Sequence, residues 1–453
     1  MKYILLLSLI STTTFAKNYL DDNLRKETWN DIEVIWLEDN SLPTYDVAFY
    51  FSEGAISDRK GKYGETELMF AGLSFGTRRY SQNAIAESLE FYGAEYGSRV
   101  THEYSTFSVR GLVKDLIPTM KMICHMFDDA TYPKKELKKT KRRVSSGFKS
   151  MVTNHSQLAN HIFRYESLRG SGIEQPTTGS IKSINKITSR DLTKRLGHFN
   201  KNVKKRIYLR GPKTISNLKE IVMNDCRWKQ SKKTSTAIAK KKQLKNSSII
   251  FVPVPNANQA QIRIGRYINK DEISFENAEM KSFTAKFIGG GFTSRLVQRL
   301  RVEKGLTYSA GAYASEQKNY GRSGISTFTK NETVVTTLNE IKKLIDENSQ
   351  AIPVELFKLN QKSAKGQYLL SLESTSDFLE TLLFFDHINR PYRDIYNYSD
   401  KVDSYSEVAL AKMVKELFDW DRQTFLILGN KKLIKSLRKA GYKVVEKNYK
   451  NYL

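Results

Sequence analysis

Apolar positions recur in the same order at two places set far apart along the chain. Val47-Ala48-Phe49-Tyr50-Phe51 is an apolar run of strand length, and Ala260, Ile262 and Ile264 alternate with Gln261 and Arg263. Both patterns predict strands packed on a core. A helical stretch follows each. Next come Gly93-Ala94-Glu95-Tyr96 in the first half and Gly305-Leu306-Thr307-Tyr308 in the second, 212 residues apart. Strand-like segments follow around Phe107 and Val109, and around Ile325 and Thr327. Two helical stripes close the pattern: Leu116, Met120, Ile123, Phe127, and Val334, Leu338, Ile341, Ile345. Each has the spacing i, i+4, i+7, i+11, which lines up one helix face. One stripe alone means core packing; the repeated order at a nearly constant offset means duplication. The expected fold is α+β, with two tandem homologous domains, each a mainly antiparallel sheet covered by helices, facing across a cleft. The stretch 231–248, rich in Lys, Ser and Thr, reads as a linker between domains at 17–230 and 249–453.

Composition agrees with this division. The 453 residues exceed one ordinary core, and 40% hydrophobic with 11% aromatic residues excludes a disordered chain. The start, 1–16, reads as a signal peptide: Lys2, an apolar run from Ile4 to Ile10, and small residues at Thr14 and Ala16. Export to the periplasm, or secretion, is expected, and the apolar run is too short to span a bilayer. Cys124 lies in an apolar helical pattern and reads as a buried thiol, though a bridge to Cys226, the other cysteine, stays open. The formal charge of +26 invites a polyanion. Its densest run is Lys134 to Arg143, and a second lies at Lys240, Lys241, Lys242 and Lys245. No aromatic residue interleaves either run as a stacking platform would. They read as a solvated helix face and a linker, and a nucleic-acid role is not expected.

Candidate chemistry is sparse. His155 and His161 are six apart and fall on different helix faces. Cys124 and His125 diverge, and His102, His198 and His387 are isolated, so no metal site is expected in this chain. Gly72-Leu73-Ser74-Phe75-Gly76 fits the spacing of a nucleophile elbow, but that turn needs a strand before the serine. A helical pattern precedes it here, so it reads as a helix end closed by Gly76.

Further signals are glycines and polar motifs in order: Gly54, Gly64, Gly76-Thr77, then Gly289-Gly290-Gly291-Phe292-Thr293-Ser294-Arg295-Leu296. Leu300-Arg301, Gly305-Leu306-Thr307-Tyr308-Ser309 and Ser371-Leu372-Glu373-Ser374 follow. In this order they resemble the pitrilysin, insulinase and mitochondrial processing peptidase family of zinc metallopeptidases, from about Val34 to about Gly429. Active members carry His-x-x-Glu-His on a helix of the first half. Imidazoles four apart grip zinc from one face, and the glutamate activates the bound water. On that frame Glu67, Phe70 and Ala71 occupy the three positions. A phenyl ring takes no proton and a methyl group binds no metal. The family's further glutamate ligand is missing too, because 138–165 contains no Asp or Glu.

Arg301 and Tyr308 keep the spacing of the family's Arg/Tyr pair, which contacts bound peptide and polarises the scissile carbonyl. Gly289, Gly290 and Gly291 resemble the family's mobile loop at the cleft. The resemblance therefore implies a substrate-binding subunit of a two-chain peptidase, without a cofactor of its own. Its partner would be a paralogous chain bearing His-x-x-Glu-His and the zinc, and its ligand a peptide. The alternatives are a purely structural subunit, like the catalytically silent core proteins of the respiratory cytochrome complex, and a stand-alone binder of peptides or polyanions.

Overall fold

The computed structural model describes residues 22–226, 228–231, 238, 248–255, 257–372 and 375–453. The predicted leader, most of the predicted linker and Glu373-Ser374 lie outside the described residues.

The alternating runs become two six-stranded sheets. The first contains β1 (Leu24–Trp29), β2 (Ile32–Glu38), β3 (Thr44–Phe51), β4 (Glu95–Val100), β5 (Ser105–Leu112) and β6 (Lys205–Gly211), in the order β1-β2-β6-β3-β5-β4. Asn30 and Asp31, at φ 48° and 65°, make the tight hairpin turn that sets Trp29 opposite Ile32. The pairing of β2 with β6 is parallel and the other four are antiparallel. The second sheet contains β7 (Ile249–Pro253), β8 (Gln259–Asn269), β9 (Ala310–Glu316), β10 (Tyr320–Lys330), β11 (Thr424–Gly429) and β12 (Val444–Glu446), in the order β12-β7-β11-β8-β10-β9. Here β7 pairs in parallel with both β11 and β12, and the rest is antiparallel. The expected α+β duplication is present.

In the first unit the predicted stripe Leu116, Met120, Ile123, Phe127 lies on α2 (Leu116–Asp129), with no member more than 1% exposed. It packs with Phe49, Phe51, Phe107 and Val109 of the sheet. In the second unit Val334, Leu338, Ile341 and Ile345 on α8 (Val334–Gln350) pack with Ile262, Ile264 and Ile325. Each fully buried side chain of this size contributes about 2 kcal/mol by leaving water.

The two compact units are not the two halves of the sequence. The first comprises 1–146, 175–236 and 372–396, and the second 147–174, 237–371 and 397–453. Of the chain's five crossings, the one between 236 and 237 falls within the predicted linker. The others come from helices that cover the sheet of the opposite half. α4 (His155–Leu168) lays Leu158, Ile162 and Phe163 on Val252, Leu426 and Leu428 of the second sheet. Gly265 in β8 permits this: a Cβ there would meet the Ser323 carbonyl oxygen at 2.2 Å and the Phe163 ring at 3.0 Å. Asn160 and Ser156 of α4 accept hydrogen bonds from the buried Arg263 guanidinium at 2.6 and 3.0 Å. Reciprocally, Leu379 and Leu383 of α9 (Thr375–His387) pack on Ile35, Ala48, Tyr50 and Tyr208 of the first sheet. The Tyr208 hydroxyl donates to Asp386 at 2.9 Å, and the Tyr50 hydroxyl meets His387 Nδ1 at 2.9 Å. The predicted domains 17–230 and 249–453 are corrected by these exchanged helices.

The buried-thiol reading of Cys124 is also corrected: Cys124 is bonded to Cys226. The apolar pattern that suggested a packed thiol is real, since both cysteines are at most 1% exposed. α6 (Leu218–Asn224) lies against α2, which brings Cys226 to the same core layer.

Candidate functional site

The helix that would hold the zinc ligands is α1 (Glu65–Ala71). Asp58 anchors its start. One carboxylate oxygen accepts from the backbone N–H groups of Gly64 (2.7 Å) and Glu65 (3.1 Å), and the other from that of Thr66 (3.0 Å). These are the amide donors that a first helical turn leaves unpaired. Burial pushes the Asp58 carboxyl up, against these hydrogen bonds and the Arg195 charge, which pull it down. Arg195, on α5 (Ser189–Asn202), donates to the Thr66 hydroxyl from Nε at 3.1 Å. Arg59 pairs with both Glu65 and Asp191, the latter at 2.7 Å. The polar groups at this end of α1 are committed to holding the helix.

Beyond that turn the helix has no metal chemistry. Glu67 is half-buried, and burial together with the nearby Asp58 charge raises its carboxyl. Phe70, which the resemblance sets at the position of the catalytic glutamate, is 2% exposed. Its ring lies 5.5 Å from Phe51, 5.4 Å from Phe199 and 6.4 Å from Phe127, centre to centre. Ala71 presents a methyl group. A zinc ion needs three or four lone-pair donors converging on one point. These residues do not fit one, and no group of three or more His, Cys, Asp or Glu side chains among the described residues is arranged to hold a metal.

Three of the histidines and Ser74, for which the sequence predicted no catalytic or metal role, lie in packing contacts. His161 Nε2 meets the Tyr452 carbonyl at 2.7 Å, His198 meets Glu53 at 3.0 Å, and His387 lies buried between Tyr50 and Glu103. Ser74 sits in a 3-10 turn, Leu73–Phe75, directly after α1; Gly76 follows at φ 145°. A helix and not a strand leads directly into Ser74, so the geometry of a nucleophile elbow is absent there.

The second-unit residues are presented differently. Arg301 lies on a π-helical turn, Gln298–Glu303. Leu300 anchors that turn in the core, and Arg299 ties it to α8 through Glu340 (3.3 Å) and Glu347 (2.7 Å). With its neighbours fixed, Arg301 projects into solvent, its guanidinium 5.1 Å from the centre of the Phe292 ring. Tyr308 is 76% exposed although the chain on either side is pinned. Thr307 is buried, and its hydroxyl donates to the Ser309 carbonyl at 2.9 Å and accepts from the Ser309 N–H at 3.1 Å. Neither the Arg301 nor the Tyr308 side chain has a hydrogen-bonding or ionic partner among the described residues. Phe292, 73% exposed, is the neighbour that sequence reasoning missed; its only signal was a large apolar residue directly after three glycines.

The predicted glycine loop divides. Gly289 closes α7 (Phe275–Gly289), and a Cβ on it would meet the Ala312 amide nitrogen of β9 at 2.2 Å, so glycine is required there for packing. Gly290 and Gly291 lie beyond the helix and are exposed, Gly291 at φ 138°.

Residues 34–178 match the family described as insulinase (peptidase family M16), and residues 213–363 match the domain described as peptidase M16 inactive domain. The chain belongs to the M16 peptidase family. It is a catalytically incomplete M16 homologue, lacking the zinc-binding motif. A Helicobacter pylori relative named a non-peptidase homolog, YmxG, is 20% identical over 88% of this chain and 92% of its own length. A Bacillus subtilis relative, named an uncharacterized zinc protease, is 21% identical over 77% of this chain and 84% of its own length. Among solved structures, the M16 inactive domain from Pseudomonas fluorescens superimposes with a TM-score of 0.80 at 20% identity, covering 90% of this chain and 98% of that one.

Proposed function

We propose that this M16 homologue is the substrate-binding subunit of a two-chain peptidase whose paralogous partner carries His-x-x-Glu-His and the zinc. The contrast between the two motifs carries this reading. At the position of the catalytic glutamate, Phe70 is built into an aromatic core, whereas Arg301 and Tyr308 stand in solvent on rigid supports. An exposed guanidinium and phenol without internal partners can donate to a peptide carbonyl or a developing oxyanion. The π-helical turn beneath Arg301 is also of a kind often found at functional sites. Export to the periplasm belongs to the same proposal; the Cys124–Cys226 bridge and the leader-like start both support it.

Affinity capture of the tagged chain from its native envelope, with mass spectrometry, is expected to recover a similar-sized chain bearing His-x-x-Glu-His. In the reconstituted pair, Arg301→Ala is expected to lower turnover roughly a hundredfold, the effect of about 3 kcal/mol for one oxyanion donor. Recovery of this chain alone contradicts the two-chain reading. A partner whose turnover ignores Arg301→Ala makes this chain a structural subunit instead.

A further inference from the structure

The sequence presents Lys134–Arg143 as a solvated helix face, but in the fold it becomes part of a larger surface. α3 (Lys134–Met151) buries Leu137, Thr140 and Phe148 and turns Lys135, Lys138, Lys139, Arg142 and Arg143 to solvent. At about 100° per residue those five cations share the outward half of the helix. Glu136 is the acidic residue of this helix, 3.9 Å from Lys139.

Two other segments of the first unit bring further cations to this helix. The Thr131 N–H donates to the Gly76 carbonyl at 3.0 Å and Thr77 pairs with Ala130, which places the exposed Arg78 and Arg79 near the start of α3. Asp129 answers them only loosely, at 3.8 and 4.0 Å. Lys141 donates to the carbonyls of Asn185 (3.2 Å) and Ile187, and the Ser189 hydroxyl donates to the Tyr132 carbonyl at 2.6 Å. These bonds bring the exposed Lys182, Lys186 and Arg190 alongside the helix.

We propose that this cationic surface docks the protein onto an anionic phospholipid bilayer. The cations stand on an outward helix and its two flanking segments, so they address an extended array of phosphates and do not enclose a single one. The helix, about 27 Å long, would lie along such an array. Tyr132 and Phe148, the aromatic residues of the helix and its entry, are buried, so the helix itself offers no aromatic platform to unstacked bases. The apolar residues of α3 also face inward, which leaves attachment electrostatic and peripheral, without insertion. Each cation held near a negatively charged bilayer strengthens binding roughly fivefold, and salt screens the effect. The proposal is independent of Arg301 and Tyr308.

The test is co-sedimentation of the full chain with vesicles of pure phosphatidylcholine and with vesicles containing phosphatidylglycerol, over a salt series. Binding is expected only to the anionic vesicles, falling steeply as salt rises. Lys138→Gln/Lys139→Gln/Arg142→Gln/Arg143→Gln should weaken it roughly a hundredfold or more, as four cations at about fivefold each imply. A control with the same charge change in exposed residues of the second unit, Lys432→Gln/Lys435→Gln/Arg438→Gln/Lys439→Gln, should bind nearly as wild type. Equal losses in both variants would mean that net charge alone acts and overturn the proposal. So would indifference to phosphatidylglycerol, or tighter binding to duplex DNA than to anionic vesicles at the same salt.

Discussion

Replacing Phe70 tests whether the helix that the resemblance sets at the zinc site is built as core. The ring is 2% exposed and meets Phe51, Phe127 and Phe199 at 5.4–6.4 Å, in mostly edge-on geometry. Burying a phenylalanine contributes about 2–3 kcal/mol by transfer from water. Each well-placed ring pair adds about 0.5–1.5 kcal/mol. Phe70→Ala should therefore cost about 4 kcal/mol, within the range for phenylalanine truncation in cores, and Phe70→Leu only about 1–2 kcal/mol. Phe70→Glu installs the glutamate that the family resemblance sets at this position, yet it should be the worst of the three. It loses the ring and also strands a carboxyl among apolar groups, at a further cost of several kcal/mol. Domain stabilities are about 5–15 kcal/mol, so this variant should be largely unfolded or close to it. Urea denaturation followed by tryptophan fluorescence suits the measurement, because Trp228 lies 5.2 Å from Phe127 in the same cluster. A Phe70→Glu protein with the wild-type midpoint would refute the argument. So would a Glu67→His/Phe70→Glu/Ala71→His protein that folds normally and takes up one zinc per chain.

Two further predictions concern stability. The Cys124–Cys226 bond joins residues 102 apart, for which loop entropy implies about 4.7 kcal/mol; reduction, or Cys124→Ala/Cys226→Ala, should lower the urea midpoint clearly, and an unchanged midpoint would show the bridge is not formed in the native protein. Lys205 is 2% exposed, with its ammonium donating to the Val203 and Lys229 carbonyls at 2.8 and 2.9 Å, and burial lowers its pKa to about 7. Between about 7 and the ordinary lysine value near 10.5 the unfolded chain holds one proton more than the folded chain, so stability should rise with pH across that window, by up to about 5 kcal/mol relative to Lys205→Met. A wild-type-to-variant difference that stays flat from pH 6 to 10 would contradict this.

Much of the fold is legible in the sequence because hydrophobic period reports secondary structure directly. The four-residue stripes became α2 and α8 with every named position buried, and the runs around Phe49 and Ile262 became central strands. The exchange of α4 and α9 was not legible. An apolar face at Leu158, Ile162 and Phe163 says that a helix packs, but not on which sheet, since β-strand faces rich in Val, Ile and Leu accept either. Gly265 was the one local clue, and it gains meaning only once Phe163 is known to approach it. The catalytically incomplete character of the chain was legible because ligands are a matter of residue type, and the sequence lacks a His-x-x-Glu-His segment. Where Arg301 and Tyr308 point was not, because that depends on Arg299 and Thr307 fixing the chain beside them.

The exchanged helices have a consequence for how the protein is made. As the chain emerges during synthesis, all six strands of the first sheet are complete by Gly211, yet the helix that covers Ile35, Tyr50 and Tyr208 ends only at His387. For well over a third of translation that apolar face has no cover of its own, the condition in which unfinished chains stick to one another. Cutting within 231–248 should for the same reason not liberate two independent proteins: each piece would hold a helix that the other needs, and the nicked chains should stay together as complementing fragments.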